Sequence, residues 1–334
     1  MSQREWRSQL HEDAIDPDVP IIDPHHHLWP GLAYYQDGPY MLDDFHEDTE
    51  AGHNIAATVY VDAYANYSED GPEHFRPVGE TAFAVNVAEE SQRRGYSTRF
   101  CHGIVSNINL HHPDAQAVLE AHKEAGAGRL KGVRQIACWD PAHTELFDSL
   151  PEYYEDPAFR EGFSRLSPMG LTFDTCLYHF QLPQVERLVR DFPDTTIIVD
   201  HFGTPLGTGP YTGRRRVAVE EWRPLIAAVS QFPNVVVKLG GLGMFVAGYD
   251  WQDRPTPPSS DELVAENGDL YHFTIDLFGP DRCMFESNFP VDGLSSSYAV
   301  LWNSHKKIAT RYSAEERSAM FFDTANRIYD LRLS

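Results

Sequence analysis

Residues 21–29 of the chain read Ile-Ile-Asp-Pro-His-His-His-Leu-Trp, an apolar start that leads into three consecutive histidines. The two isoleucines predict a short buried strand. Alternate residues of a strand point to the same side, so His25 and His27 share one face, where two imidazoles can bind one divalent metal ion such as zinc. His26 points the other way and is predicted to be structural. The alternative is a polar strand end whose histidines bond to backbone or water.

The composition excludes several classes of function. The 334 residues carry a formal net charge of −23, which argues against binding to nucleic acid or to anionic membranes. Residues 1–18 contain no apolar signal-peptide core, and no segment is long enough to span a membrane. The four cysteines follow no CxxC spacing, which favours buried free thiols in a reducing compartment. They are Cys101, Cys138, Cys176 and Cys283. We therefore expect a cytoplasmic protein.

Apolar, strand-like runs alternate with amphipathic, helix-like segments along the chain. The strand-like runs are residues 21–22, 55–61, 101–108, 130–136, 171–177, 196–199, 235–239 and 283–285. Eight βα units predict a parallel sheet closed into a (β/α)8 TIM barrel with long strand-to-helix loops. A doubly wound open sheet is the alternative, disfavoured because no Gly-rich phosphate loop follows the first strand. Residues 1–334 are predicted to form one domain, in which residues 1–18 are a polar extension.

Polar side chains follow the ends of several predicted strands, and in such a barrel these ends build the active site. His25 and His27 close the first strand, His179 follows the fifth, His201 closes the sixth, and Asn288 ends the eighth. A catalytic metal centre needs three or more protein ligands and one open position for water, whose pKa zinc lowers to about 7. The sequence therefore predicts one site that is assembled from several strand ends.

Seven motifs occur in the same order as in a known family. They are IIDPHHHLW from Ile21, LKGVR from Leu130, LYHFQLP from Leu177, IIVDHFGTP from Ile197, VVVKLGG from Val235, CMFESNFPVD from Cys283, and ANRIY from Ala325. With these motifs the chain resembles the amidohydrolase superfamily, specifically its lactonase-like and 2-pyrone-4,6-dicarboxylate hydrolase-like group. The resemblance implies a distorted barrel that hydrolyses sugar lactones, pyrones or related esters and amides. It also implies a divalent metal, which is zinc in some relatives, whereas relatives of the pyrone hydrolase type work without one.

The resemblance assigns four metal ligands, His25, His27, His179 and His201. The family pattern at the eighth strand is Gly-Ser-Asp-Trp-Pro, in which the aspartate is the general base. This chain has Asn288 at that position, and an amide cannot take a proton from water at neutral pH. The usual base is therefore missing.

Glu286, two residues before Asn288, is the predicted replacement. Both side chains should face the barrel interior, and the longer glutamate can bring a carboxylate towards the empty place. The hypothesis is that Glu286 is a relocated base or metal ligand and that Asn288 orients water or substrate. The alternative is an ion pair between Glu286 and a barrel lysine such as Lys238. Asp292 is a third candidate for the base.

Several further residues are candidates for substrate binding. Lys131 and Arg134 can meet a substrate carboxylate, and Lys238 can stabilise the developing oxyanion. A buried ion pair is the alternative for each lysine. Tyr34 and Tyr35 can form an aromatic lid, unless they merely pack on the barrel rim.

The resulting expectation is a cytoplasmic hydrolase that opens a lactone, or a related cyclic ester or amide, of a small polar, anionic compound. The strand-end histidines would hold the metal, and His201 would also take part in catalysis. One rival is a metal-dependent non-oxidative decarboxylase on the same scaffold, and another is a non-catalytic ligand-binding barrel. The expected partner is a small molecule, with no nucleic acid or membrane, and a homo-oligomer is compatible with the sequence.

Overall fold

Eight parallel strands lie side by side in chain order in the computed structural model, which describes residues 2–31, 38–141 and 149–333. The strands are β1 Pro20–His26, β2 Asn54–Val61, β3 Arg99–Asn107, β4 Leu130–Ile136, β5 Thr172–Cys176, β6 Ile197–Val199, β7 Val235–Leu239 and β8 Cys283–Phe285. The chain after β8 returns to β1, where the His27 amide donates to the Phe289 carbonyl at 2.7 Å. The predicted (β/α)8 barrel is confirmed, and the open doubly wound sheet is excluded.

Each strand is followed by at least one helix on the outside of the barrel. The helices of the described residues are α1 Gln3–Arg7, α2 Leu42–Thr49, α3 Val78–Arg94, α4 Ala115–Ala125, α5 Pro157–Phe163, α6 Leu182–Asp191, α7 Arg215–Ser230, α8 Ser260–Phe278, α9 Tyr298–Ala309, α10 Ala314–Ser318 and α11 Thr324–Ile328. Serine caps explain where α8 and α9 begin: Ser259 forms a capping box with Glu262, and the Ser297 hydroxyl accepts the Val300 amide. None of these helices is both long and apolar enough to cross a lipid bilayer.

The barrel interior has an apolar lower layer and a charged upper layer. The lower layer consists of Ile22, Val59, Val105, Ile198, Val236 and Met284, and Tyr329 and Leu331 of the C-terminal segment pack against it. Alternate strand residues point to the same side, so the residues two positions further along also face inward. After Ile198, Val236 and Met284, the residues at this spacing are Asp200, Lys238 and Glu286. The strand register therefore places charged groups directly below the C-terminal ends of the strands.

The polar N-terminal extension packs on the barrel. The Trp6 indole donates to the Arg254 carbonyl at 2.8 Å, and the Arg7 guanidinium donates to the Gly293 carbonyl at 2.7 Å. Both side chains are buried. The extension therefore contributes to the packing around the loop after β8.

Asp23 connects the two strands that close the barrel. Its carboxylate accepts the Ser287 hydroxyl at 2.6 Å, the Ser287 amide at 3.0 Å and the Tyr298 hydroxyl at 3.0 Å. All three residues are buried. Because buried carboxylates are costly without donors, these bonds hold the segment after β8 against β1.

We expect Ser287→Ala to lower the free energy of unfolding by about 1–3 kcal/mol, because it leaves a buried carboxylate short of a donor. Urea denaturation measures the change. The matched control is Ser304→Ala, which removes a buried hydroxyl that bonds only to the Leu301 carbonyl at 2.7 Å within α9. Equal losses in the two variants would show that the connection between the strands adds nothing.

Candidate active site

A cavity of about 270 Å³ opens at the C-terminal ends of the strands. Its floor is formed by polar residues at or just after these ends, namely His27, Asp62, Arg134, His201 and Asn288. Parallel strands of a barrel end at the same rim, so residues that are far apart in the chain meet there. The predicted assembly of a site from several strand ends is therefore present.

Three histidines lie at this floor or directly below it. The Nε2 atoms of His25 and His27 are 3.2 Å apart. The Nδ1 atom of His27 lies 2.8 Å from the Val61 carbonyl. Glu286 contacts the other two rings, with Oε1 at 2.7 Å from His201 Nδ1 and Oε2 at 3.0 Å from His25 Nδ1. The Nδ1 atoms of His27 and His201 each have an oxygen partner, which leaves Nε2 as their ligand atom, as is usual for metal-binding histidines. The Nδ1 atom of His25 lies near both Glu286 and the Lys238 ammonium.

Glu286 is a positioning residue in this arrangement. It is fully buried beneath His25 and His201 and does not line the cavity. Although burial opposes a charged imidazole, the Glu286 carboxylate raises the pKa of His201 to about 9. The geometry therefore does not support Glu286 as the relocated base, because its oxygens face two imidazoles. It does not support the pairing with Lys238 either, since that lysine has other partners.

Lys238 lies below the histidines with no exposed surface. Its Nζ atom lies 2.6 Å from Asp174 Oδ2, 3.0 Å from Asp200 Oδ1 and 3.1 Å from His25 Nδ1. Burial opposes the charge, but the two carboxylates raise the pKa of Lys238 above its ordinary value. Of the two roles expected for Lys238, the geometry matches the buried ion pair, because Lys238 is not part of the cavity wall.

Arg134 lines the cavity, as predicted, but its guanidinium is already engaged. Its Nε donates to Asp62 Oδ1 at 2.9 Å, and its Nη2 donates to the main-chain carbonyl of Asp62. Its Nη1 lies 3.3 Å from His25 Nε2. The guanidinium group that was expected to bind a substrate carboxylate therefore binds Asp62.

The buried charges around the histidines do not balance. The network contains four carboxylates, Asp62, Asp174, Asp200 and Glu286, and two cations, Lys238 and Arg134. Four negative and two positive groups leave a formal excess of two negative charges. Uncompensated charge is very costly inside a protein, so protons on the histidines or carboxylates, or a bound cation, must neutralise it. A divalent ion carries the required charge.

Asp200 completes a group that fits such an ion. Neither of its carboxylate oxygens has a hydrogen-bond partner within residues 2–31, 38–141 and 149–333, although Lys238 lies close to one of them. One ligand atom each from His25, Asp200 and His201 can be chosen so that all three lie within 4.8 Å of one another. Imidazole and carboxylate donors suit zinc and similar divalent ions. The residues present therefore fit a divalent metal.

Asp62 lines the cavity and has an uncommitted carboxylate oxygen. Its Oδ1 accepts the Arg134 bond, whereas its Oδ2 is buried and lacks a hydrogen-bond partner among the described residues. Burial raises the pKa of Asp62 in spite of the neighbouring guanidinium. A buried carboxylate of raised pKa beside the histidines is a candidate general base.

Asn288, at the position of the family's aspartate, is also in the cavity wall. Its amide nitrogen donates to Asp292 Oδ1 at 2.8 Å, which fixes the orientation of the side chain. Burial raises the pKa of Asp292 to about 7, but Asp292 does not line the cavity. Asn288 can therefore orient a ligand, whereas Asp292 acts through it.

Two predicted site residues lie elsewhere. His179 is buried, accepts the Leu206 amide at its Nδ1 and belongs neither to the cavity wall nor to the three-residue ligand group. Lys131, near the start of β4, donates to the Asp330 carbonyl at 3.1 Å. It lies at the opposite end of its strand from Arg134, so it does not reach the substrate cavity. Tyr34 and Tyr35 lie outside the described residues.

Asp62 and Asp200 were not among the predicted site residues. Each directly follows an apolar strand, and the strand-end rule that selected the histidines would also have selected these aspartates. His26, by contrast, was predicted correctly to be structural. Its Nε2 lies 2.9 Å from the Thr58 hydroxyl, and its ring stacks on Phe45.

Known proteins are similar to this chain along most of its length. The sequence model of the Amidohydrolase family matches residues 22–331. The chain is 33% identical over 330 residues to the uncharacterized protein y4mH of Sinorhizobium fredii, covering 93% of this chain and 99% of that protein. It is 28% identical over 253 residues to an L-fucono-1,5-lactonase of Burkholderia multivorans, covering 75% and 77% of the two chains.

A solved structure is similar over nearly the full length. It is an amidohydrolase from Burkholderia multivorans with bound zinc, with a TM-score of 0.72 and 25% identity, and the match covers 93% of this chain and 99% of the other. The chain is thus similar to a barrel that binds zinc and, separately, to a lactonase.

We expect Glu286→Gln to weaken zinc binding by about 10- to 100-fold without unfolding the protein, because the histidines lose the carboxylate that holds them. The double variant His25→Ala/His27→Ala should lose the site altogether. Competition with a chromophoric chelator measures the affinity. His112→Ala is the matched control, since His74, His112 and Asp114 form a second possible ligand group near the surface. Loss of tight zinc binding in His112→Ala alone would place the metal at the surface group.

Proposed function

Because the chain belongs to the amidohydrolase family, we propose that it is a hydrolase that opens a lactone ring by attack of water on the ester carbonyl. The oxygen of water bonds to the carbonyl carbon, the ring C–O bond breaks, and a proton passes to the released oxygen, which gives a hydroxy acid. The observation that carries the proposal is the uncommitted carboxylate oxygen of Asp62 beside the histidines of the cavity floor.

Asp62 is the general base of this proposal. Attack by water requires a group that accepts its proton, and Asn288 cannot do so. Asp62 is connected through Arg134 to His25, so its carboxylate is held at the centre of the polar floor. The base is thereby supplied by the end of β2 instead of the end of β8.

His25, His27, Asp200 and His201 are the residues that would hold a divalent metal, which we propose to be zinc. When bound, zinc polarises a carbonyl and lowers the pKa of a water ligand. The excess of buried negative charge and the zinc in the Burkholderia structure support this assignment. Glu286 and the Val61 carbonyl orient the imidazoles, and Lys238 holds Asp200 in place.

The geometry favours an uncharged substrate over the anionic compound expected from the sequence. Arg134 was the residue expected to bind a carboxylate, and its charge is balanced by Asp62. The same argument disfavours the decarboxylase rival, whose substrate carries a carboxylate. The similarity to the L-fucono-1,5-lactonase supports a cyclic ester.

We expect Asp62→Asn to lower kcat for lactone hydrolysis at least about 100-fold, the scale of general-base catalysis. The dissociation constant of the matching lactam, which is not hydrolysed, should change only a few-fold. Release of acid from a lactone panel measures the first quantity, and calorimetry measures the second. CO₂ release from aromatic acids, with no acid release from lactones, would instead identify a decarboxylase.

The control for Asp62→Asn is Glu12→Gln. Glu12 accepts hydrogen bonds from Ser260 and Asn303 outside the cavity, so its loss should affect stability and leave kcat unchanged. If Asp62→Asn weakens lactam binding as strongly as it lowers kcat, Asp62 only maintains the shape of the cavity and the assigned role is wrong.

A further inference from the structure

The cavity walls differ in chemistry from its floor. Above the polar residues, the described wall is almost entirely apolar and is supplied by strand ends and loops at the C-terminal end of the barrel. Its members include Trp29, Ile136, Met244, Val246, Val291 and Leu294. A ligand that fills the cavity therefore meets polar groups at one end and hydrocarbon along its sides.

Two of the large hydrophobic residues at this wall are exposed to solvent. Tyr64 is 50% exposed and Phe245 is 39% exposed, and both line the cavity. Among the described residues the only other large hydrophobic side chain with comparable exposure is Leu150. Exposed apolar groups concentrated at the mouth of a cavity are typical of a ligand-binding surface.

The wall is fixed in place before a ligand arrives. The Gly243 amide donates to Asp292 Oδ2 at 2.9 Å, and the Ser295 hydroxyl donates to the Gly243 carbonyl at 2.7 Å. The Val246 carbonyl accepts the Gly207 amide at 2.7 Å. These bonds join the loops that follow β6, β7 and β8, so the apolar surface is a built part of the site.

Few polar groups remain for a ligand with many hydroxyls. The Arg134 guanidinium bonds to Asp62 Oδ1, the Asn288 amide nitrogen donates to Asp292, and Asp62 Oδ2 is assigned to the attacking water. The Thr204 hydroxyl lines the cavity and has no partner in the part of the chain that the structure describes, so it can serve one ligand hydroxyl. Buried hydroxyls without partners are costly, so a polyhydroxylated sugar lactone matches the wall poorly.

We propose that the substrate is an uncharged lactone whose ring carries an apolar alkyl or aryl substituent. This inference rests on the proposed hydrolysis and names its substrate class. The ester carbonyl lies on the histidine floor, and the substituent lies along Met244, Val246 and Leu294 towards Phe245 at the mouth. The wall residues determine specificity and take no part in the chemical step.

The test uses the zinc-loaded protein and 1,5-lactones that carry a hydrogen, propyl or pentyl group at the ring carbon next to oxygen, together with a sugar 1,5-lactone. Each methylene buried on the wall is worth about a fourfold gain, so kcat/KM should rise at least tenfold from the unsubstituted to the propyl compound. The sugar lactone should be the poorest substrate. Thermal shifts with the corresponding lactams report binding without hydrolysis.

The variant Leu294→Asn should reduce the ratio of kcat/KM between the propyl and the unsubstituted lactone, because it removes apolar surface along the substituent. The matched control is Leu150→Asn, which changes an exposed leucine outside the cavity and should keep this ratio. A preference for the sugar lactone overturns the substrate class and leaves the hydrolase intact. If no lactone is hydrolysed but the propyl lactam stabilises the protein more than the unsubstituted one, the apolar ligand class stands and the hydrolase is wrong. Equal shifts by all lactams overturn the inference.

Discussion

The buried ion pair of Lys238 with Asp174 and Asp200 is the interaction on which the site depends. A lysine inside a barrel requires carboxylates, and these two bring negative charge directly beneath the histidines. Glu286 adds a further carboxylate that contacts His25 and His201. The apolar layer below keeps water away from the charges, so the electrostatic interactions are strong and the imidazoles have fixed orientations. The positions of the histidines in the cavity floor therefore depend on the charged layer directly below them and on the apolar layer beneath it.

The exchange of aspartate for Asn288 is accompanied by a different distribution of carboxylates around the cavity. Glu286 occupies the interior two residues before Asn288, but it supports the histidines from below. Asp62, at the end of the neighbouring β2 strand, is the carboxylate that reaches the cavity. Neighbouring strand ends of a barrel are close in space, so a chemical group can move from one to another while the scaffold stays the same. Under the proposed function, Asp62 supplies the base that Asn288 cannot supply.

Much of the fold and part of the site could be predicted from the sequence. The alternation of apolar strands and amphipathic helices was sufficient for the barrel, and the strand-end rule correctly placed His27, His201, Arg134 and Asn288 around the cavity. The rule was not applied to the aspartates that follow β2 and β6, so Asp62 and Asp200 were missed. It also could not show that His179 bonds to the Leu206 amide instead of joining the ligand group. The position of Lys131 could have been recognised, because a residue near the start of a strand lies far from the catalytic end.

The sequence by itself determined which side chains point into the barrel and at which end they lie, because the strand period of two and the direction of a parallel strand are local properties. The sequence therefore determined that His25, His27 and His201 lie at the same end of the barrel. Only the tertiary structure decided how the inward groups are paired. The partners of Glu286 are His25 and His201 instead of Lys238, and Arg134 bonds to Asp62 instead of remaining free. Such pairings depend on distances across the barrel between residues from different strands, and these are set by strand register, closure and loop packing, which no local stretch of sequence contains.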